Sequence, residues 1–308
     1  MNFAPEGTRI STAHNKARTG SIAALSECAR TGEILEGRAI VCDSSHRLIV
    51  ELSGGLRGII PHEEGAYGID TGETRDVAII SRVSKPVCFI VTGFETAGSD
   101  IIPILSRKKV QERCYAQFIS SLVPGQVIPA VVTHLEAFGC FVDIGCGISS
   151  LIPIDAISVS RISHPRDRFS VGQSILTVVR HVEGKRVFLS HKELLGTWEE
   201  NAADFQAGQT VAGIVRSVEE YGIFVELTPN LAGLAEPCAG VTRGQHASVY
   251  IKSILPPKMK IKLLIVDSFG AVCPPPEPRY FIREGVLSSW RYSPASCSRI
   301  IETNFENF

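Results

Sequence analysis

The sequence predicts a mainly β fold made of three small five-stranded barrels in tandem, joined by short helices. Three observations carry that prediction. Glycine and aromatic landmarks recur at matched spacing, short β-branched runs alternate with a period of two, and amphipathic stretches at helical spacing introduce the repeats. The chain has 308 residues, of which 44 % are hydrophobic and 20 % charged. Such a length gives a soft prior of about two domains at roughly 150 residues each, and the composition excludes disordered and collagen-like classes.

In chain order, residues 1–31 form an N-terminal segment whose Ala-rich stretch Ile22 to Arg30 reads as a leading helix. Barrel one, the faintest copy, covers 32–105, from Gly32-Glu33-Ile34 through Leu48-Ile49-Val50-Glu51-Leu52 to Gly58-Ile59-Ile60-Pro61 and beyond. Residues 106–124 follow as a connecting helix with apolar positions at Val110, Cys114, Phe118 and Leu122. Barrel two covers 125–191, with strands expected near Val127 to Leu135, Cys140 to Ile144, Ile148 to Ile152, Ser174 to His181 and Arg186 to Ser190. Five short strands so close together favour a closed sheet, which removes its own edges.

A second connecting helix, 192–207, has Leu194, Trp198, Ala202 and Phe205 on one face, and barrel three covers 208–267. The remainder, 268–308, opens on Cys273-Pro274-Pro275-Pro276-Glu277-Pro278, a stiff extended linker. Tyr280, Phe281, Trp290 and Tyr292 beyond it are too apolar for a free tail, so this part is expected to pack on barrel three or on a partner.

The repeat is tightest between barrels two and three. Gly139 lies 14 residues after Gly125 within Phe138-Gly139-Cys140-Phe141-Val142-Asp143-Ile144, and Gly222 lies 14 residues after Gly208 within Tyr221-Gly222-Ile223-Phe224-Val225-Glu226-Leu227. Each copy has a second Gly-Gln, at Gly172 and Gly244, with a basic residue eight positions later, Arg180 or Lys252.

These residues resemble the S1-type RNA-binding domain, a five-stranded barrel of the oligonucleotide/oligosaccharide-binding fold named after the largest protein of the small ribosomal subunit. Barrel two carries the resemblance over its full length, through Ser150-Leu151-Ile152, Arg161-Ile162-Ser163-His164-Pro165 and Arg186-Val187-Phe188-Leu189-Ser190-His191-Lys192. Barrel three matches through Gly233-Leu234-Ala235-Glu236 but has lost the long loop. Many such domains place a nucleic-acid-holding His on strand three; here that place is Pro61, Pro153 and Glu236. The tandem arrangement is similar to the bacterial ribosomal S1 family. It implies a non-catalytic, single-stranded RNA-binding protein that holds messenger RNA at the small ribosomal subunit.

Alternation gives the residue-level expectations. Since Asp143 must face water, Phe141 shares its solvent-side face while Val142 and Ile144 point inward, and Phe224 with Glu226 repeats the pattern. Phe138 and Tyr221 stand three residues earlier. Exposed rings at such places are stacking platforms for bases; packing against a neighbouring helix or barrel is the other reading. Phosphate contacts are expected from Arg180, Arg186, Lys252, Lys258 and Lys260, with Lys185, Lys192 and the loop residues Arg161, His164, Arg166 and Arg168 around them. Lys258, Lys260 and Lys262 alternate with apolar residues and would share one strand face, which serves equally as a solvated edge. His164 before Pro165 is placed either to stack on RNA or to stabilise a turn. Arg107, Lys108, Lys109 and Arg113 read as a solvated helix face or an inter-domain contact.

Barrel one departs from this. Aligned on Val50 against Val142, its two aromatic places hold His46 and Ile49, and the Gly between becomes Arg47. Residues 32–100 have 6 Lys and Arg against 11 Asp and Glu, net −5, in a chain of net −1. An acidic barrel repels a phosphate backbone, so residues 32–105 are expected either to act as a spacer or, as the resemblance implies, to dock on small-subunit proteins.

Other chemistry is not encoded in recognisable form. There is no phosphate loop, no His-Glu-x-x-His and no nucleophile elbow, so no enzyme, cofactor or metal is expected. Nine scattered cysteines without a Cys-x-x-Cys pair read as free, mostly buried thiols in a reducing compartment. With no signal peptide or membrane-spanning run, the expected location is the cytoplasm. Two other readings remain from sequence: a protein-protein adaptor built of barrels, and an RNA-binding accessory factor in RNA processing or decay.

Overall fold

A computed structural model describes residues 3–98, 100–270 and 277–306. The chain divides into two compact units, one of Met1–Ser121 with Asp143–Ser149 and one of Leu122–Val142 with Ser150–Phe308. The first unit runs α1 (Ala13–Thr19), α2 (Ile22–Thr31), β1 (Leu35–Cys42), β2 (Leu48–Glu51), β3 (Arg57–Ile60), α3 (Val77–Ile80), β4 (Pro86–Ala97), β5 (Asp100–Ser106) and α4 (Lys108–Gln117). Its strands close into a barrel in the order β1-β2-β3-β5-β4. The one parallel pair, β3 with β5, sets Ile59 opposite Ile104. Alternation sends Leu48, Val50, Ile60, Val87, Phe89 and Leu105 into the core, where α2 adds Leu25 and Cys28. Ser21 caps α2 by accepting from Ala24 N, which supplies one of the orphan first-turn N–H groups with a partner.

The N-terminal segment is held by acids. Glu36 Oε2 accepts from the backbone N–H groups of Gly7, Arg9 and Ile10 at 2.9 to 3.1 Å. Glu6, almost fully buried, pairs with Arg107 at 2.6 Å and with Arg82 at 3.4 Å. Arg107 is therefore no solvated residue. Its guanidinium also donates to the Gly65 and Gly147 carbonyls. Lys108 pairs with Asp70 and Arg113 donates to Gly32 O.

The second unit contains two barrels. β6 (Val127–Glu136), β7 (Gly139–Asp143), β8 (Ser149–Pro153), β9 (Ser174–Glu183) and β10 (Arg186–Ser190) close in the order β10-β8-β7-β6-β9. After α5 (Trp198–Ala202), β11 (Thr210–Glu219), β12 (Gly222–Thr228), β13 (Leu231–Ala235), β14 (His246–Leu255) and β15 (Lys260–Phe269) close as β11-β12-β13-β15-β14. β16 (Ser289–Arg291) and β17 (Glu302–Asn304) form a separate ribbon. Three closed five-stranded barrels bear out the fold class, and each barrel-two strand lies within two residues of its expected bounds.

The second connector is not one continuous helix as its spacing implied. A 3-10 turn at Lys192–Leu195 stops at Gly196 (φ 83°, ψ 163°), and α5 restarts behind a Thr197–Glu200 capping box. A Cβ on Gly196 would meet the Phe281 ring at 2.6 Å, so the chain breaks where the C-terminal part packs against it. The Pro-rich linker expectation falls largely on residues 271–276, outside the described residues. Beyond it, Trp290, Tyr292 and Phe305 are buried in the core of barrel three. Val127 N donates to Gly285 O and Leu287 N to Gly125 O, so the same segment also lies along the start of β6. Among the described residues, no helix is long and apolar enough to cross a membrane.

Candidate nucleic-acid interface

The rings expected to stack lie in the same place on barrels two and three. In each, a ring in the turn before the second strand meets a ring on that strand edge to face. Phe138 and Phe141 have centroids 6.0 Å apart at 90°, and Tyr221 and Phe224 6.2 Å apart at 85°. The Gly between them lets strands approach closely, since a Cβ on Gly139 would lie 2.5 Å from Ile152 O and one on Gly222 2.7 Å from Ala235 O. The turn rings are the open ones, Phe138 at 57 % and Tyr221 at 69 % exposed. Phe141 and Phe224 are half-buried, which corrects the expectation that they stand fully in solvent.

The premise behind that expectation also fails. Asp143 and Glu226 are buried, and each outward-facing carboxylate is covered by partners far away in sequence. Asp143 accepts from Glu6 N at 2.7 Å, Gly145 N at 2.8 Å and Gly147 N at 3.0 Å. Burial and the neighbouring Glu6 carboxylate push its carboxyl up to about 7, against the Glu6 and Gly145 N–H groups and the Arg107 guanidinium. Glu226 pairs with Arg168 at 2.5 Å and, through both oxygens, with Arg216 at 2.8 and 2.9 Å. Arg168 is consequently a buried structural cation and not a rim residue.

The basic residues scatter more than expected. Arg186 is exposed at the start of β10, opposite Glu183, while Arg180 is half-buried on β9. Lys252 is exposed on β14 but 2.7 Å from Glu236, whose carboxyl it holds below the ordinary range. Lys258 does not share a strand face with Lys260 and Lys262. Pro256-Pro257 turn the hairpin through a 3-10 turn that contains Lys258 and ends on left-handed Met259, so the strand starts at Lys260. His164 takes the turn role, its Nδ1 accepting from Arg166 N at 3.1 Å to cap the turn Pro165–Asp167.

Around the barrel-three rings the fold builds a cleft of about 530 Å³. Tyr221, Phe224 and Met259 give it apolar wall and Arg161 and Arg299 cationic wall, while Arg216 at its edge is already paired with Glu226. Arg299 comes from the C-terminal segment, so the part of the chain that sequence left unassigned reaches the rings.

Barrel two has aromatic surface that alternation did not single out. Phe188 lies opposite His181 across β9–β10, and their rings stack at 4.1 Å with 13° between planes. Phe188 is also opposite Leu151 on β8. His134 reaches Phe141 from β6 at 6.4 Å. The cue lay in cross-strand register, which places His181 and Phe188 on one outer face although neither neighbours an aromatic in sequence. His191, in contrast, is fully buried: Nδ1–H donates to Ile157 O at 2.9 Å and Nε2 accepts from the Tyr280 hydroxyl at 3.3 Å. Barrel one has no ring pair at the matching places, which hold His46 and Ile49.

Parts of the chain are similar to known proteins. Residues 122–192 match the family model described as S1 RNA binding domain. The chain is 31 % identical over 147 residues to Protein tex of Bordetella pertussis, covering 47 % of this chain and 18 % of that one. It is 30 % identical over 152 residues to small ribosomal subunit protein bS1 of Rhodopseudomonas palustris, covering 47 % of this chain and 25 % of that one. The chain thus spans a quarter or less of the length of these relatives. A Streptococcus pneumoniae multidomain protein with nucleic acid binding domains aligns over 79 % of this chain and 75 % of its own, at 15 % identity and a TM-score of 0.25.

Proposed function

We propose that this chain, of the S1 RNA-binding type through the domain at residues 122–192, binds single-stranded RNA without catalysing a reaction on it. The observation that carries the reading is the repeated ring pair, Phe138 with Phe141 and Tyr221 with Phe224, in one geometry on two barrels. Unstacked bases lie on such rings for about 1 to 3 kcal/mol each. Arg186 on barrel two, Lys252 and Lys260 on barrel three, and Arg299 of the C-terminal segment supply cations for the phosphates. The finer reading is that the RNA is messenger RNA held at the small ribosomal subunit in the cytoplasm, with the acidic barrel one docking on basic ribosomal proteins. Similarity to bS1 supports it.

Similarity of the same extent to Protein tex favours a second reading, an RNA-binding accessory factor away from the ribosome. Sedimentation of native extract separates the two. The ribosomal reading expects the chain in the small-subunit fraction in a salt-sensitive manner. Its presence only in light fractions, with RNA affinity intact, supports the accessory factor.

A further inference from the structure

Where barrels two and three place rings, barrel one places imidazoles. His46 occupies the position of Phe138 in the alignment of the two barrels, and its side chain meets two others from separate segments. His62 Nε2 lies 2.7 Å from Asp76 Oδ1, and His46 Nδ1 lies 3.4 Å from Asp76 Oδ2. The two imidazole centroids are 5.7 Å apart. One donor atom from each of the three residues lies within 4.8 Å of the others, and all three residues are half-buried.

Each ligand is held by local structure independent of the cluster. His46 sits in left-handed conformation (φ 57°), in a turn closed by His46 N to Asp43 O and Asp43 N to Arg47 O. Asp43 pins that turn by accepting from Ser45 N at 2.9 Å and Arg47 N at 3.0 Å. His62 opens a 3-10 turn directly after β3 and Pro61. Asp76 leads α3, yet its carboxylate makes no capping bond to that helix. Both its oxygens are turned instead to the imidazoles.

We propose that His46, His62 and Asp76 form a binding site for a divalent transition-metal ion of the zinc class. Two imidazoles and a carboxylate are a donor set for zinc and its neighbours, whereas calcium and magnesium take oxygen ligands. Zinc bonds of about 2.0 to 2.2 Å to N and O in tetrahedral geometry place donors about 3.4 Å apart, so the rings close on the ion through side-chain rotations. Side-chain exposures of 38 %, 37 % and 47 % leave room for water in the remaining coordination position, as in sites with three protein ligands. The ion ties the β1–β2 turn to the segment between β3 and β4, a second point of closure for barrel one. Hydrogen bonding of one carboxylate by two histidines is the simpler account, and the experiment separates them.

The full chain bearing Cys238→Ser and Cys273→Ser, which remove the thiol exposed among the described residues and the one outside them, is freed of metal with chelator and titrated with zinc chloride in a calorimeter and with cobalt chloride by visible absorption. The site predicts one equivalent bound, d–d absorption of low-coordinate cobalt, and a rise in melting temperature of about 3 to 8 °C at saturation. His62→Gln, Asp76→Asn and His46→Gln should each weaken zinc at least tenfold, and His134→Gln, on barrel two, should not. Metal-free melting of each variant verifies its fold. Absence of saturable binding, or binding of equal strength in properly folded His46→Gln, His62→Gln and Asp76→Asn, overturns the proposal.

Discussion

Tyr221 meets Phe224 edge to face at 6.2 Å, with the first ring open to solvent and the second half-buried. The pair is therefore asymmetric, and so are its expected mutational effects. Tyr221→Ala and Phe138→Ala should each cost about 1 to 3 kcal/mol of RNA affinity while leaving the melting temperature within a degree or two. Phe224→Ala and Phe141→Ala should lower affinity and also cost stability, because each removes a partly packed ring. Fluorescence anisotropy with an unstructured oligoribonucleotide and thermal melting on the same samples test this. Unchanged affinity in Tyr221→Ala would remove the stacking role.

Glu226 balances two cations that water scarcely reaches, Arg168 and Arg216. Glu226→Ala leaves both without their shared carboxylate, and removing one partner of a buried pair costs about 3 to 5 kcal/mol. Arg168→Met should cost less, since Glu226 retains Arg216. Urea denaturation of the two variants gives the ranking, and equal costs would contradict it.

Burial holds the His191 imidazole down to about 4, and both its nitrogens are satisfied in the neutral form. In the unfolded chain a histidine takes up a proton near pH 6.5. As pH falls from about 6.5 to 4 the unfolded state binds the proton and the folded state does not, so stability falls across that window and is flat on either side. The shift corresponds to at most about 3 kcal/mol. Asp143 has the opposite sign: raised to about 7, it keeps its proton in the fold, so its contribution is lost as pH rises from about 4 to 7. The measurement is therefore a difference, wild type minus His191→Gln, which should slope between pH 6.5 and 4. A flat difference would show that His191 takes up its proton equally well folded and unfolded, so that burial does not hold it neutral.

Binding to RNA should weaken with salt. If three to five phosphates are neutralised, at roughly −0.7 each for single strands, the log–log slope is about −2 to −4. Lys260→Gln and Arg186→Gln should each reduce that slope by less than about 1. Duplex DNA of equal length should bind far more weakly, since its bases are not free to stack.

What was legible in the sequence was what local alternation encodes. Val142 and Ile144 pointing inward, the strands of barrel two and the Gly-spaced ring pairs all follow from neighbours within a few residues. Asp143 and Glu226 were misread because alternation identifies an outer face but not what covers it. Their partners lie 137 residues away at Glu6 and 58 away at Arg168. Lys258 was a different error, as Pro256-Pro257 already argued against a continuous strand. The His46–His62–Asp76 cluster draws on three segments with no shared motif, and only the barrel's closure brings them together.

The C-terminal segment has a consequence for the order in which the chain folds. Tyr280 serves Leu176 N from 104 residues downstream, and Leu287 and Gly285 bond to Gly125 and Val127 near the first strand of the same barrel. During synthesis at about 5 to 20 residues per second, barrel two emerges complete in its five strands yet waits on the order of ten seconds for these partners. Until then the start of β6 presents open backbone donors and acceptors, a template for pairing with another nascent chain. Closure of this barrel should accordingly wait on residues 280–287, and truncation before Tyr280 should convert a folding step into an aggregation risk.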